Sequence, residues 1–123
     1  SWTAAISKND REGILRFHSK DILMYDFPDV VRGIDEYSKT WDFFFKEQIA
    51  TIHFEARELE VTTSDSVAFA SCLIRCEGTS AGIVELRLTV GLKKIEGNWI
   101  IIHEHHSITS TDSRFIDENN DQL

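Results

Sequence analysis

The feature that most constrains the fold is a change in hydrophobic period at Ala50. Beyond this residue, apolar and polar side chains alternate over most of the chain, and short turn sequences divide the alternation into four segments. Alternation at period two predicts β-strands, and short turns between successive strands predict antiparallel pairing. The four predicted strands are 51–62, 67–77, 83–95 and 99–107.

The residues before Ala50 are mainly helical in pattern. Gly33 precedes an amphipathic helix, Asp10 is positioned to cap a shorter helix running to about His18, and residues 21–26 resemble a short strand. The apolar stripe of the longer helix consists of Ile34, Tyr37, Trp41, Phe44 and Phe45. Helices followed by consecutive strands indicate an α+β fold whose mainly antiparallel sheet curves around the helices and leaves a central cavity.

Length and charge limit the classes of function. The 123 residues suffice for one domain, which we expect to span 1–108, followed by a polar, acidic tail over 109–123. The net charge of -8 argues against a nucleic-acid partner, and no apolar segment has the length of a membrane span. Cys72 and Cys76 do not form a disulfide framework, so we expect reduced thiols and a cytoplasmic location.

The turn at Glu96-Gly97 predicts the register of the last two strands. A two-residue loop there pairs Ile95 with Asn98, and continuing this register places Thr89 opposite Glu104. Arg87 then lies opposite His106. This register puts the apolar side chains of one strand on the same face as alternate residues of the other, namely Leu86, Leu88, Val90 and Leu92 with Trp99, Ile101, His103 and His105. A three-residue loop shifts the pairing by one and puts the two latter histidines beside Arg87 and Thr89.

Three segments resemble one protein family. They are Asp21-Ile-Leu-Met-Tyr-Asp26 with Arg32-Gly33, Arg87-Leu-Thr89-Val with Lys94-Ile-Glu-Gly-Asn-Trp99, and Ile102-His-Glu-His-His-Ser107. In order and spacing they are similar to the SnoaL-like, ketosteroid-isomerase-like branch of the nuclear transport factor two-like superfamily. A weaker similarity extends to the association domain of calcium/calmodulin-dependent kinase. The resemblance implies a cystatin-like curved sheet around N-terminal helices, a conical pocket, and a convex sheet face that packs against a second copy as a homodimer.

The resemblance also assigns the two faces of the last strands. It implies that Arg87, Thr89, Glu104 and His106 line the pocket and that the Leu/Val/Trp/Ile face forms the dimer seam. His103 and His105 then belong to the interface side. Arg75 matches a pocket arginine of the kinase association domain.

The match to ketosteroid isomerase itself is incomplete. That enzyme uses an aspartate base with an oxyanion hole made of a tyrosine and a protonated aspartate. Asp26 occupies the position of the base, whereas Trp2 and Thr89 occupy the approximate positions of the other two groups. Steroid isomerisation by that mechanism is therefore not expected.

The candidate catalytic residues are Asp26, Glu104 and His106, with either carboxylate as the base and the imidazole as a proton shuttle. The candidate substrate-binding residues are Arg75, Arg87, Thr89, Trp41 and Tyr25. Structural alternatives remain for each: Asp26 can cap the strand end, the arginines can form ion pairs, and Trp41 can be a core residue. His18 and His53 are expected to be surface residues or residues with satisfied hydrogen bonds.

Two functions follow from these residues. One is an acid–base isomerase, cyclase or hydrolase that acts on an apolar small molecule with a carbonyl or carboxylate group. The other is a noncatalytic ligand-binding or dimeric assembly module. The sequence predicts no cofactor and no metal, since His103 and His105 form a two-residue pair with no evident third ligand.

Overall fold

The computed structural model describes residues 2–26 and 29–108 and contains three helices and six strands within them. In chain order these are α1 (Trp2–Ser7), α2 (Arg11–Leu15), β1 (His18–Tyr25), β2 (Val30–Arg32), α3 (Ile34–Lys46), β3 (Gln48–Thr63), β4 (Val67–Thr79), β5 (Gly82–Ile95) and β6 (Asn98–Ile108). The four long predicted strands are confirmed to within a few residues. The short strand β2 was not predicted, and β1 begins three residues earlier than expected. The expected acidic tail, 109–123, lies outside the described residues.

All six strands form one sheet in the order β2-β1-β6-β5-β4-β3. Every neighbouring pair is antiparallel except β1 and β6, which run parallel. The α+β class and the mainly antiparallel sheet are therefore confirmed. The parallel pair joins the first strand of the chain to the last, and this pairing brings the end of β1 beside the histidine-rich part of β6.

Helix α3 lies against one side of the sheet, which we call the inner face. Gly33 precedes the helix with φ at 87°, a left-handed backbone conformation that glycine adopts without a Cβ clash. The helical spacing of Tyr37 and Trp41 buries both side chains against the sheet, where they pack in the core with Ile22 and Ile52. The opposite side of the sheet is the outer face.

The predicted hairpin register is correct at the turn and wrong beyond it. Ile95 pairs with Asn98 as expected, but Ile102 has no partner in β5 because Leu92 pairs with Ile101 and Gly91 with His103. Ile102 is thus the extra residue of a β-bulge. From that point each residue of β6 faces a neighbour one position away from the one expected.

The bulge reverses the predicted grouping of side chains. Glu104 pairs with Val90 and His106 with Leu88, so both polar residues lie on the apolar inner face. Thr89 pairs instead with His105, on the outer face. The expectation that the Leu/Val face forms a dimer seam was therefore wrong, because that face covers the helix.

The described residues bear on two expectations, one about the state of the cysteines and one about membrane-spanning segments. Cys72 and Cys76 are both free thiols, as predicted. Within the parts of the chain that the structure describes, no helix combines the length and apolar character needed to cross a membrane.

Candidate functional site

A cavity of about 340 Å³ lies between α3 and the inner face of the sheet. Its wall is mostly apolar and rich in aromatic side chains, among them Trp41, Phe43, Phe44 and Phe54. Titratable side chains from several elements also line it, namely Asp26, Tyr37, Glu47, Cys76 and His106. An apolar cavity of this size with a few polar groups is typical of a site for a small molecule.

A buried carboxylate lies behind the cavity wall. The side chain of Glu104 is fully buried, and its Oε1 atom accepts a hydrogen bond from the Tyr37 hydroxyl at 3.1 Å. The Nε2 atom of His18 lies 3.2 Å from the same oxygen and 3.0 Å from the tyrosine hydroxyl. Because a carboxylate only accepts hydrogen bonds, Nε2 of His18 must carry the proton that it shares with Glu104. Residues from β1, α3 and β6 thus meet at one oxygen atom.

The other carboxylate oxygen faces the cavity residue His106. Glu104 Oε2 lies 3.7 Å from His106 Nε2, which is longer than an ordinary hydrogen bond. Burial by itself raises the pKa of Glu104, but polar contacts with His106 and His18 lower it more, to about 2. Glu104 is therefore an anion at neutral pH.

The electrostatic surroundings of His106 favour its protonated form. Burial alone lowers the pKa of His106, but the contact with Glu104 and the charges of Glu104 and Asp26 outweigh burial and raise it. The pKa of Tyr37 is raised well above its ordinary value of 10.0, first by burial and then by the charge of Glu104. Tyr37 thus remains a hydroxyl donor, and the cavity presents an imidazole that holds a proton readily.

Asp26 is the second charged residue at this end of the cavity. It directly follows β1, is half-buried, and its backbone N–H donates a hydrogen bond to the carbonyl of Asp29 at 3.0 Å. Its charge acts on His106, as the raised pKa of that imidazole records. The parallel pairing of β1 with β6 is what brings the two residues to one end of the cavity.

Trp41 is both a core residue and part of the cavity wall. Its ring packs edge-on against Phe44 with 5.1 Å between ring centroids and contacts Phe45 and Phe54 as well. The core interpretation of Trp41 is confirmed, and its place in the cavity wall keeps ligand binding as a prediction.

The structure does not bring the other four predicted binding residues to this cavity. Arg75 forms an ion pair with Glu77 at 2.9 Å, and Arg87 donates hydrogen bonds to Ser107 Oγ at 3.0 Å and to the Ile108 carbonyl. Thr89 is exposed beside His105. These three residues alternate with inner-face residues along β4 and β5, so their side chains lie on the outer face.

Tyr25 lies on the outer face as well. Its ring packs edge-on against His103 and His105, with ring centroids 5.1 Å and 5.7 Å away. The expected separation of these two histidines from Glu104 and His106 is confirmed. A role for Tyr25 in binding a ligand inside the cavity does not fit this position.

Sequence reasoning missed the contribution of His18. Of the two expectations for His18, a surface position or satisfied hydrogen bonds, the structure fits the second, because the side chain is fully buried with Nε2 in contact with Glu104 and Tyr37. A signal for it was present, because His18 shares the buried side of β1 with Ile22 and Met24 at even spacing. The strand had to be extended back to His18 for this pattern to become visible.

The lining of the cavity also limits what it can hold. No lysine or arginine is among the described residues that line it. Nor does any group of three or more His, Cys, Asp or Glu side chains in the described ranges have the arrangement to hold a metal ion. The polar groups among the described lining residues are carboxylate, imidazole, hydroxyl and thiol groups.

The sequence profile of the SnoaL-like domain matches residues 1–111. The chain belongs to the SnoaL-like family. This confirms the resemblance found in the three sequence segments. No curated protein sequence matches the chain significantly.

Solved structures share the fold of this SnoaL-like chain. An NTF2-like protein of unknown function from Pseudomonas putida is 26% identical with a TM-score of 0.80, over 92% of this chain and 82% of that one. A proposed ketosteroid isomerase from Shewanella frigidimarina is 19% identical with a TM-score of 0.72, over 85% and 86% of the two chains. A proposed calcium/calmodulin-dependent kinase II association domain from Xanthomonas campestris is 17% identical with a TM-score of 0.75, over 89% and 81%. Other neighbours have a cystatin-like fold, as expected from the sequence.

Proposed function

We propose that this SnoaL-like protein binds an uncharged, largely apolar small molecule with a carbonyl group and catalyses a proton transfer on it. One observation carries the proposal. His106 and Asp26 line the same cavity, and the charge of Asp26 acts on the imidazole together with that of Glu104. Titratable groups whose pKa values are shifted by specific partners in an apolar cavity are typical of acid–base sites.

The proposed roles follow from the charges of the two residues. The Asp26 carboxylate takes a proton from the carbon next to the carbonyl, and protonated His106 donates a proton to the carbonyl oxygen, which yields a neutral enol. Return of a proton from Asp26 to the same carbon, with loss of the hydroxyl proton to His106, regenerates the ketone. In a ketone with a β,γ double bond, delivery of the proton to the γ-carbon of the dienol instead completes an isomerisation. Positioned acids and bases each contribute about 10²–10⁴-fold to such reactions.

Glu104 has a different role from the one its sequence position suggested. It is fully buried, with Oε1 in contact with Tyr37 and His18. A carboxylate held in this way is poorly placed to take a proton from a ligand in the cavity. We assign it to orienting and charging His106, and we retain Asp26 as the base.

The charges around the cavity favour a ligand without a negative group. Asp26 and Glu47 contribute carboxylates to the described lining, to which no lysine or arginine contributes. A ligand carboxylate would lack the paired N–H donors that usually bind such a group. Of the two ligand types expected from the sequence, the carbonyl compound is therefore favoured.

Hydrogen–deuterium exchange tests the proposed proton transfer. Neutral cyclic ketones and matched carboxylates are first screened by thermal shift, and each ketone that raises the melting temperature is then incubated with protein in D₂O. We expect NMR to show faster deuterium uptake beside the carbonyl with the wild-type protein. Asp26→Asn and His106→Gln should each lose most of this acceleration, because each removes one of the two proton-transfer groups.

An outer-face substitution provides the matched control. Thr89 is exposed and is not among the described residues that line the cavity, so Thr89→Ala should retain the full exchange rate. Ketones that bind tightly but exchange no faster than in buffer would contradict a catalytic role. The noncatalytic ligand-binding function would then be the better proposal.

A homodimer through the outer face is the second candidate function, as an assembly module. Its support is different from that expected from the sequence, since the Leu/Val face points inward. Phe69 and Val67 on β4 are more than half exposed, at 54% and 51%, on the same face as Leu73. Light scattering at micromolar concentration should give twice the monomer mass, and Phe69→Lys should return it to the monomer mass. A monomeric wild-type protein would contradict this candidate.

A further inference from the structure

Tyr37 in the cavity wall and His18 and Glu104 behind it form a chain of contacts that the proposed reaction does not use directly. Tyr37 and His18 bind one oxygen of Glu104, while the other oxygen faces His106. Tyr37 comes from α3 and His18 from the start of β1, so two separate elements fix one carboxylate. The three buried side chains are polar, and burying such groups is costly without a compensating role.

We propose that Tyr37 and His18 are positioning residues that keep Glu104 ionised and directed at His106, and that they thereby hold a proton on His106 in the cavity. The inference rests on the proposed function, because it concerns the group that would donate the proton to the ligand. Neither residue needs to touch the reacting atoms for this role.

The protonation of His18 follows from its partners. Nε2 carries a proton because it lies against a carboxylate oxygen, whereas Nδ1 is buried without a hydrogen-bond partner among the described residues. His18 thus donates an Nε2–H hydrogen bond to Oε1 of Glu104 and leaves Oε2 facing His106. The negative charge of Glu104 therefore remains available to His106.

Several titratable groups surround His106, and they come from different elements. Glu104 on β6 and Asp26 after β1 supply negative charge, and Tyr37 on α3 and Cys76 on β4 line the same cavity. Leu88, the β5 partner of His106, supplies no titratable group. Glu104 is fixed by two buried donors, Tyr37 and His18, at the oxygen farther from His106.

Removing these donors should weaken the charge on Glu104. A fully buried carboxylate tends to take up a proton, because burial disfavours its charged form. The two donors at Oε1 oppose this tendency and prevent the carboxylate from rotating. Without them, Glu104 holds a proton more readily, and His106 loses the partner that stabilises its imidazolium form.

An NMR titration of the histidine rings measures this coupling directly. The midpoint for His106 is followed in the wild-type protein and in Tyr37→Phe, His18→Phe and Glu104→Gln. We expect the largest downward shift of the midpoint in Glu104→Gln, and smaller downward shifts in the other two variants. Tyr37→Phe loses a single oxygen atom, so it keeps the test valid if His18→Phe fails to fold.

A double-mutant cycle separates action through Glu104 from a general structural effect. In the Glu104→Gln background, Tyr37→Phe should shift the His106 midpoint no further. His18→Gln keeps an N–H donor, so it should lower the His106 midpoint less than His18→Phe does. Tyr25→Phe on the outer face is the matched control and should leave the midpoint unchanged.

The outcomes decide the inference independently of catalysis. An unchanged or raised His106 midpoint in folded Tyr37→Phe would overturn it, as would an equal shift in the Glu104→Gln background. The titration requires no substrate. If the titrations show the coupling but the protein does not accelerate exchange, the proposed function alone is contradicted. If the protein accelerates exchange but the coupling is absent, this inference alone is contradicted.

Discussion

The two faces of strand β6 carry similar residues in very different surroundings. On the outer face, His103 binds the Leu23 carbonyl at 2.8 Å and His105 is exposed beside Tyr25. On the inner face, Glu104 is fully buried and His106 lines the cavity behind α3. Burial and mutual contact, rather than residue type, thus distinguish the coupled titratable groups from the solvated ones.

This difference has a thermodynamic consequence. Charges near the surface interact weakly, since water screens them, whereas removal of one member of a buried polar group leaves its partners unsatisfied. The inner face should therefore respond strongly to single substitutions and to pH, and the outer face should respond little.

The largest expected effect comes from removing the buried carboxylate. Glu104→Leu leaves the Tyr37 hydroxyl and His18 Nε2 without their shared acceptor, so we expect a loss of about 3–5 kcal/mol in the free energy of unfolding. His105→Leu on the outer face should change it by no more than about 0.5 kcal/mol. Urea denaturation measures both. Similar losses of unfolding free energy in the two variants would contradict the stronger response expected of the inner face.

The inner face should also give the protein a stability maximum at mildly acidic pH. The folded pKa of Glu104 is about 2 against an ordinary 4.5, so its contribution is complete above pH 4.5 and lost as the pH falls toward 2. This contribution amounts to about 3 kcal/mol. The pKa of His106 is raised from 6.5, so its contribution is complete below pH 6.5 and lost as the pH rises through the folded pKa.

Urea denaturation from pH 2.5 to 9 measures this pH dependence. Between pH 4.5 and 6.5 the contributions of Glu104 and of His106 are both complete, so the free energy of unfolding should be greatest there. Glu104→Gln should flatten both limbs of the profile, because it removes the charge that both depend on. A variant profile parallel to that of the wild type would assign the pH dependence to other residues.

A pair of tyrosine substitutions gives a smaller effect. Tyr37→Phe removes a buried hydroxyl that contacts both Glu104 and His18, so we expect a loss of about 1–3 kcal/mol in stability. Tyr25→Phe removes an outer-face hydroxyl and should change stability by less than about 0.5 kcal/mol. Thermal and urea unfolding of the two variants should rank them in this order, and the reverse order would contradict it.

A small effect is also expected from Arg87→Ala. The side chain is exposed and hydrogen-bonds to Ser107 and Ile108, so its loss should cost less than about 1 kcal/mol. The thermal shift produced by a cavity-binding ketone should be the same as in the wild-type protein. Loss of ketone binding in this variant would return the arginine to the ligand site, as the sequence originally suggested.

Much of the fold was predictable because it depends on local patterns. The alternation after Ala50 identified the four long strands, and the Glu96-Gly97 turn identified the first pairs of the final hairpin. The bulge at Ile102 was not predictable, since nothing in the local sequence marks the extra residue. The inward direction of the apolar face was missed as well, because the resemblance had assigned that face to an interface.

The candidate site was predictable only in part, since it depends on contacts between distant segments. Asp26 and His106 were named and both line the cavity, but His18 lies 86 positions from Glu104 along the chain. The parallel pairing of β1 with β6 creates that contact, and no turn sequence encodes it. Arg87 and Thr89 were grouped with Glu104 and His106 because the bulge that separates them was not foreseen, and Arg75 was placed by its resemblance to the kinase association domain.

The bulge at Ile102 determines which side chains of the segment His103-Glu-His-His106 face the cavity. Its two alternating pairs are both titratable, so a single unpaired residue upstream decides which pair the cavity receives. Deleting Ile102 would remove the bulge and leave Glu104 opposite Val90 and His106 opposite Leu88. Pairing Ile102 with Gly91 would instead shift the later residues by one and present His103 and His105 to the cavity, with every one of the four residues retained. In this strand, a register shift of one residue can exchange one set of chemical groups for another more completely than any point substitution.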